Sequence, residues 1–241
     1  MTNRDLVLDG GLNLRDLGGL PTTDGRRVRP RRVLRSASLA ELTGDDVATL
    51  QRWGLRTVID LRGAAEVDRD GRGLLATTDV AYRNVPVVGA RSVRLDQAPD
   101  LQGSLLDHYV SYLQTGADAI VGVLRLLLDE APAVVHCAAG KDRTGVVVAL
   151  VLDALNVHRA EIVEDYAATA ANMPRVRAQL TASATTQQLG SVPDWVLTAL
   201  PETMEGFLAH LDSAGGTAAW LGEHGLTDGE LVALQERLLT S

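Results

Sequence analysis

The segment HCAAGKDRTG, residues 136–145, is the part of this sequence that decides its interpretation. The apolar run PAVVH (132–136) before it is typical of a buried strand. The run TGVVVALVLDALNV (144–157) after it is apolar on nearly all sides and predicts a helix in the centre of the fold. A short loop between a buried strand and a buried helix is typical of a phosphate-binding turn, because backbone N–H groups and the helix N-terminus attract an anion.

The side chains of this loop favour covalent phosphate chemistry. Cys137 and Arg143 are separated by five residues, and Arg143 can bind two phosphate oxygens with its planar guanidinium group. The same positive field favours the thiolate form of Cys137, which would face a bound phosphate as a nucleophile. Gly140 allows a backbone conformation that a Cβ atom would obstruct, and Thr144 places a hydroxyl beside the sulfur. The residues predicted to bind the substrate phosphate are Ala138, Ala139, Gly140, Lys141, Asp142 and Arg143.

The composition excludes several classes of protein. With 46% hydrophobic and 22% charged residues, the 241-residue chain is typical of a globular protein. A net charge of −8 and only 3% aromatic residues argue against a nucleic-acid partner, since that binding relies on neutralising phosphates and stacking on bases. The longest apolar stretch, 146–155, is too short for a membrane span, so no stable membrane insertion is expected. The polar N-terminal segment predicts a cytoplasmic location, with secretion that needs no cleaved signal left open.

Cysteine and histidine usage predicts a protein without metal or cofactor. The single Cys excludes an internal disulfide and a cysteine zinc site. The five His are scattered and form no metal-ligand pair of the H-E-x-x-H kind. We therefore expect neither a metal site nor a cofactor.

The order of elements predicts the fold class. A helix is predicted from Thr43, which with Asp46 forms a capping box, to Gly54, which favours helix termination. Further strands are predicted at 56–61 and 81–88, and helices at 101–115 and 117–130. Strands that alternate with helices in this way predict an α/β fold with a mainly parallel central sheet flanked by helices. Residues 1–241 are expected to form a single domain, in which 158–200 is a helical lid.

The N-terminal arginines allow two interpretations. Six Arg lie between Arg26 and Arg35, which favours a solvated strand that protects a sheet edge. The alternative is a rim that attracts anions near the site. Arg15 and Asp16 are expected to form a local ion pair in a turn, or else to pack against the 136–145 loop.

The loop HCAAGKDRTG resembles the signature HC-x5-R-[ST] of cysteine-dependent protein tyrosine phosphatases. Its Lys-Asp-Arg form is similar to the atypical bacterial tyrosine phosphatase family. The segments NLRDLGG (13–19), VLRSASL (33–39) and VIDLR (58–62) resemble that family's opening and occur in the same order. The resemblance implies a metal-free reaction in two steps, in which Cys137 becomes phosphorylated and water then hydrolyses the phosphocysteine.

The resemblance also implies roles for neighbouring residues. It assigns the general acid to Asp142. Classical tyrosine phosphatases carry their acid on an upstream Trp-Pro-Asp loop instead, which makes Asp100, after Pro99, the alternative acid here, whereas Asp194 lies on the wrong side of the loop. The resemblance implies that His136 forms hydrogen bonds near the loop that favour the thiolate. Asp60, at a strand end, is expected either to orient Arg143 or a water, or to serve only as a turn carboxylate.

The predicted function is a protein tyrosine phosphatase, with dual or phosphoinositide specificity left open. The expected partner is a phosphorylated protein or a phosphoinositide, and Lys141 adds a cation that suits a highly charged head group. No oligomeric state is predicted. The alternative is a non-catalytic module that binds phospho-ligands, although Cys137, Arg143 and a candidate acid are all present. A thiol redox enzyme is disfavoured because the chain has no second Cys to resolve a disulfide.

Overall fold

A five-stranded sheet lies at the centre of the computed structural model, which describes residues 4, 6–88, 105–182 and 198–241. The strands are β1 (Arg15–Asp16), β2 (Val33–Ser36), β3 (Thr57–Asp60), β4 (Ala81–Asn84) and β5 (Ala133–His136). Their order is β1-β2-β5-β3-β4, with β1 antiparallel to β2 and all other neighbours parallel. The mainly parallel α/β fold predicted from the sequence is confirmed.

Helices cover both faces of this sheet. They are α1 (Gly44–Trp53), α2 (Ala64–Asp70), α3 (Leu105–Thr115), α4 (Ala117–Glu130), α5 (Asp142–Ala154), α6 (Arg159–Ala167), α7 (Met173–Ala182), α8 (Pro201–Ser213), α9 (Thr217–Glu223) and α10 (Asp228–Leu238). Two short 3₁₀ helices lie at Leu74–Thr77 and Ala168–Asn172. The predicted capping box of α1 is present, because Thr43 and Asp46 bond each other reciprocally, and the helix ends at Gly54 with φ of 98°.

Alternation along the strands divides the core into two layers. Val33, Ile59 and Val135 belong to the larger cluster, which also contains side chains from α3, α4, α5 and α8. Leu34, Val58 and Val134 belong to the smaller cluster on the other face, which contains side chains of α1. In α5 every residue from Thr144 to Leu152 is buried, so the predicted central helix is confirmed.

The strand register brings four polar residues to one edge of the sheet. Ser36 of β2 and Asp60 of β3 both pair with His136 of β5, and Asn84 of β4 pairs with Asp60. The chain leaves β5 at this edge, between the ends of β2 and β3. Parallel sheets bind their ligands at the carboxyl ends of their strands, and the loop of interest begins there with Cys137.

The expectation of a solvated edge strand near the arginine-rich segment is wrong. The strand β2 lies between β1 and β5, and Arg35 within it is completely buried. The sequence alone does not show that this strand is buried. A core arginine differs from a solvated one by a buried counter-charge nearby, and the run of arginines does not indicate where such a counter-charge lies.

The segment predicted as a lid begins in the core. Ile162 and Tyr166 of α6 are buried in the larger cluster. The 3₁₀ helix Ala168–Asn172 separates α6 from α7, and Pro174 lies in the first turn of α7, a position where proline is tolerated. Residues 183–197 of the predicted lid lie outside the described residues.

Candidate active site

Cys137 opens the loop between β5 and α5 and is 2% exposed. Hydrogen bonds fix the positions of the carbonyl groups of this loop. The Cys137 carbonyl accepts a bond from Nδ1 of His136 at 3.2 Å, and the Ala138 carbonyl accepts one from the Ser38 amide at 2.9 Å. The Gly140 carbonyl accepts from Asn13 Nδ2 at 3.0 Å and from Arg35 Nη2 at 2.7 Å, and Asn13 also reaches the Ala139 carbonyl. These partners fix the orientation of the loop's peptide groups.

The amide groups of the same loop differ from its carbonyl groups in their hydrogen bonding. Within the described chain, the backbone N–H groups of Ala138, Ala139, Gly140 and Lys141 have no hydrogen-bond acceptor. The loop runs directly into α5, whose N-terminus adds partial positive charge. Free amides beside a cysteine at a helix N-terminus form a site for a tetrahedral oxyanion.

Gly140 is the residue that permits this loop conformation. Its φ of 67° lies in the left-handed region, and a Cβ atom there would come within 2.5 Å of the Ser36 carbonyl oxygen. The loop therefore packs directly on the backbone at the end of β2. No side chain larger than hydrogen fits this position without moving one of the two segments.

Arg143 is held at the mouth of the loop by a bidentate pair with Glu66 of α2. Its Nη1 and Nη2 donate to the two carboxylate oxygens at 2.6 and 2.7 Å. Burial by itself would lower the pKa of Arg143, but the bonds to Glu66 and the nearby Cys137 raise it above the ordinary value. Arg143 is thus permanently charged and oriented by a carboxylate that sequence analysis did not single out.

Asp142 carries two contacts on one oxygen. Lys141 Nζ lies 2.8 Å from Oδ1, and the Tyr109 hydroxyl donates to the same oxygen at 2.8 Å. Burial raises the pKa of Asp142, but Lys141 and the Tyr109 hydrogen bond outweigh it, so the pKa lies below its ordinary value. The Lys141 side chain is itself buried and also donates to the Thr198 carbonyl, so it does not offer its ammonium group to solvent.

Within the described chain Asp60 forms no bond to Arg143, and its Oδ1 accepts a bond from the Arg62 backbone amide at 3.0 Å, the arrangement of the turn carboxylate given as the alternative. Its carboxylate accepts bonds from Nε and Nη2 of Arg62, at distances from 2.7 to 3.1 Å, and from the Tyr82 hydroxyl at 2.9 Å. His136 Nε2 lies 3.6 Å from the same carboxylate. Burial lowers the pKa of His136, which favours the neutral ring. Asp60 therefore places a negative charge close to the His136 ring without a hydrogen bond to it, and Arg143 takes its orientation from Glu66 instead.

Arg15 forms no turn ion pair with Asp16, so that expectation is wrong. Arg15 donates to Asp165 of α6 at 3.0 Å, and Arg35 donates to the other oxygen of Asp165 at 2.6 Å. Asp16 instead accepts bonds from the backbone of Gly18 and Arg31. Arg15 pairs with the distant Asp165 because the two buried guanidinium groups, those of Arg15 and Arg35, require a buried counter-charge.

Thr144 completes the set of loop residues. Its hydroxyl oxygen is buried and has no hydrogen-bond partner in the described part of the chain. A buried hydroxyl without a partner is costly, so a ligand or a water that bonds to it would be favoured. Asp100, the alternative acid, lies outside the described residues.

The described residues contain no group of three or more His, Cys, Asp or Glu side chains placed to bind a metal ion. Among the described helices, none combines the length and apolarity that crossing a bilayer requires.

Four residues that contact the loop or its partners were not predicted from the sequence. They are Asn13, Glu66, Tyr109 and Asp165. Only Asn13 lay in a quoted motif, and the other three are brought to the loop by tertiary packing.

A buried cysteine at the start of the loop, loop amides without an acceptor in the described chain and an anchored arginine are features of a cysteine-dependent phosphatase, the class of protein that this fold and site define. The model of the tyrosine phosphatase family matches residues 6–240. The chain belongs to that family, and it is an enzyme of the protein tyrosine phosphatase type.

Two relatives, one from Mycobacterium tuberculosis and one from Cupriavidus necator, agree with this assignment. The triple specificity protein phosphatase PtpB of Mycobacterium tuberculosis is 33% identical over 202 residues, covering 72% of this chain and 72% of that protein. A Cupriavidus necator protein that also carries a tyrosine-protein phosphatase name is 30% identical over 210 residues, covering 85% of this chain and 76% of that protein. Among solved structures, the core catalytic domain of the PP-IP phosphatase SIW14 from S. cerevisiae matches 89% of this chain and 98% of that chain, with a TM-score of 0.42 and 14% identity.

Proposed function

We propose that this phosphatase works through a phosphocysteine intermediate, without metal, and that Asp142 is its general acid. The observation that carries the proposal is the loop of 137–141, where the carbonyl groups are bonded outward and the amide groups are free beside Cys137. A phosphoryl group in this cradle places its equatorial oxygens among the amides and Arg143. The Cys137 sulfur then lies below the phosphorus.

The first step forms an S–P bond and breaks the P–O ester bond. The electron pair of that bond goes to the leaving oxygen, which takes a proton from Asp142. In the second step water attacks the phosphocysteine, Asp142 accepts a proton from that water, and the products are inorganic phosphate and the Cys137 thiolate. Arg143 stays paired with Glu66 in both steps and stabilises the charge on the phosphoryl oxygens.

A set of four variants tests these roles. Cys137→Ser should lower turnover by several orders of magnitude, because a serine hydroxyl is not ionised, while phosphate binding survives. Asp142→Asn should lower hydrolysis of phosphotyrosine roughly 10²–10⁴-fold and hydrolysis of an activated aryl phosphate much less. Asp100→Asn and Asp118→Asn, the second a control in the first turn of α4, should change neither rate. Leaving-group-dependent loss in Asp100→Asn alone would transfer the acid role to the upstream loop.

Metal independence is tested by initial rates in excess chelator. Activity should persist, because the cradle is built from amides and arginine. Loss of activity that zinc or magnesium restores would contradict the phosphocysteine mechanism.

For substrate class, we propose phosphotyrosine first, with phosphoserine, phosphothreonine and phosphoinositides to be compared on one panel. The name of the Mycobacterium tuberculosis relative, a triple specificity phosphatase, supports testing all of them. Lys141 offers less support for lipid head groups than the sequence suggested, because its ammonium group is bound to Asp142 and to the Thr198 carbonyl. If Lys141 binds a head group, it must first leave these partners.

A further inference from the structure

The acid side chain is held by one oxygen only. Both close contacts of Asp142, the Lys141 ammonium group and the Tyr109 hydroxyl, are to Oδ1. Within the described chain no group donates a hydrogen bond to Oδ2, and 28% of the Asp142 side chain is exposed. The two oxygens of this carboxylate are therefore chemically distinct.

The direction of the Tyr109 hydrogen bond follows from its burial. Tyr109 is fully buried on α3, and its hydroxyl lies 2.7 Å from the hydroxyl of Tyr166 on α6. Burial and the nearby Asp142 raise the pKa of Tyr109 well above its ordinary value, so the hydroxyl keeps its proton and donates it to Asp142. Tyr166 then donates to Tyr109. This order leaves the Tyr109 oxygen satisfied on both sides.

We infer that Tyr109 is a positioning residue, which together with Lys141 fixes Oδ1 of Asp142 so that Oδ2 carries the proton to the leaving group. This inference rests on the proposed function, in which Asp142 is the acid. Two donors on Oδ1 favour the carboxylate in the free enzyme. The negative charge of a bound phosphoryl group favours the protonated form, and Oδ2 is the oxygen at which that proton can be accepted.

The other charged and titratable groups near Asp142 do not replace these contacts. His108 and Tyr112 of α3 are bonded to each other at 2.8 Å, and burial lowers the pKa of His108, which favours its neutral form. Burial also raises the pKa of Tyr112, so it is uncharged at neutral pH. Arg143, the next residue on α5, is occupied by Glu66. Lys141 and Tyr109 are the groups whose removal should change the titration of Asp142.

The test compares Tyr109→Phe with the matched variant Tyr166→Phe. Both remove one buried hydroxyl and keep the ring, but only the first removes a contact to Asp142. Rates are measured from pH 4 to 9 on phenyl phosphate, which has a poor leaving group, and on p-nitrophenyl phosphate, which has a good one. Lys141→Met is measured beside them, and the unfolding temperature of each variant shows whether it is folded.

Tyr109→Phe should lower kcat on phenyl phosphate roughly tenfold and kcat on p-nitrophenyl phosphate at most about twofold. Loss of a donor to the carboxylate raises its pKa, so the basic limb of kcat on phenyl phosphate, which reports Asp142 in the enzyme–substrate complex, should move up by about half a pH unit, and by about one unit for Lys141→Met. A folding defect alone would lower both rates equally without moving the limb. Tyr166→Phe should leave the limb in place.

Asp142→Asn, measured in parallel, tests the proposed acid separately from the positioning role of Tyr109. If Asp142→Asn shows the leaving-group-dependent loss and neither Tyr109→Phe nor Lys141→Met moves the basic limb, this inference is overturned and the proposed acid stands. If Asp142→Asn shows no such loss, the proposed acid itself is wrong. If Tyr109→Phe does not fold, the basic limb of Lys141→Met is the readout. A limb that moves up supports the inference, and a limb that stays in place overturns it.

Discussion

At the scale of single residues, the Glu66 carboxylate is the group that sets the geometry of Arg143. It binds both terminal nitrogens of the guanidinium group, and Nη1 also donates to the Leu61 carbonyl at 3.4 Å, which leaves Nε and the second N–H of Nη2 for phosphate. Glu66 also neutralises part of the charge that attracts the substrate. Its removal therefore has two opposing effects, one on orientation and one on attraction.

We expect Glu66→Gln to lower kcat roughly tenfold while KM changes by less than about threefold, because lost orientation affects the transition state and gained charge compensates ground-state binding. Initial rates and inhibition by inorganic phosphate measure the two effects separately. Glu130→Gln is the matched control, since Glu130 pairs with Arg83 at the surface. A variant with higher kcat than the parent would show that Glu66 competes with phosphate for Arg143.

Gly140 permits a second prediction at this scale. Gly140→Ala should destabilise the protein by roughly 1–3 kcal/mol, because alanine is strained at positive φ and its Cβ would collide with the Ser36 carbonyl. Phosphate affinity should fall as well, since the collision moves the loop. In Gly122→Ala, the control on α4, the added Cβ meets open space and should stabilise the helix by about 1 kcal/mol. Denaturant unfolding of both variants makes the comparison; equal effects would contradict the proposed collision.

At the scale of elements, Asp165 joins α6 to the strands beside the loop. It pairs with Arg15 of β1 and Arg35 of β2, and Arg35 in turn bonds the Gly140 carbonyl. Burial raises the pKa of Asp165, but Arg15 and Arg35 outweigh it and hold the pKa far below its ordinary range. The carboxylate is therefore a link between the helix packing and the shape of the anion cradle.

Removal of that charge should be costly and dependent on pH. Asp165→Asn leaves two buried guanidinium groups without a counter-charge, so it should lower the unfolding free energy by roughly 3–5 kcal/mol at neutral pH. A folded-state pKa below the unfolded value of about 3.9 gives stability that is fully present from about one pH unit above the unfolded pKa and is lost progressively as pH falls toward the folded-state pKa. Urea unfolding from pH 3 to 8 should therefore show a weaker acid dependence in Asp165→Asn than in the parent.

The control is Asp212→Asn, whose partner Arg159 and own side chain are largely exposed. Its stability should match the parent across the same pH range, as expected for a surface ion pair. An unchanged acid slope in Asp165→Asn would show that the loss of stability at low pH comes from other carboxylates.

Elements with a strong local pattern were predictable from sequence, and the partners of buried charges were not. The strand β5, the loop and α5 follow from a continuous apolar pattern interrupted by Gly140 and the charged residues. Asp165 lies 150 positions from Arg15, and no local pattern indicates that separation. Glu66 and Tyr109 are ordinary helix residues until the fold brings them to Arg143 and Asp142. The residue types of the loop were thus enough to predict which side chains react. The residues that position those side chains could be identified only from the tertiary structure.

At the scale of the whole molecule, the cations are distributed unevenly. The chain has a net charge of −8, yet Arg4, Arg15 and Arg35 converge on the single carboxylate of Asp165 behind the loop. An acidic protein can therefore bind a dianion, because local positive charge in a site of low dielectric outweighs a distant negative surface that salt screens.

Lys141 has a consequence for chemical labelling. It is the one lysine among the 241 residues, its exposure is 1%, and its amine is engaged by Asp142 and the Thr198 carbonyl. An amine-reactive ester should therefore modify the α-amino group and leave Lys141 unmodified in the native state. When local opening exposes the loop, mass spectrometry should detect acylation at position 141, and where the reagent acylates faster than the loop recloses, the rate of that acylation counts the openings of the catalytic loop in a chain with no second lysine.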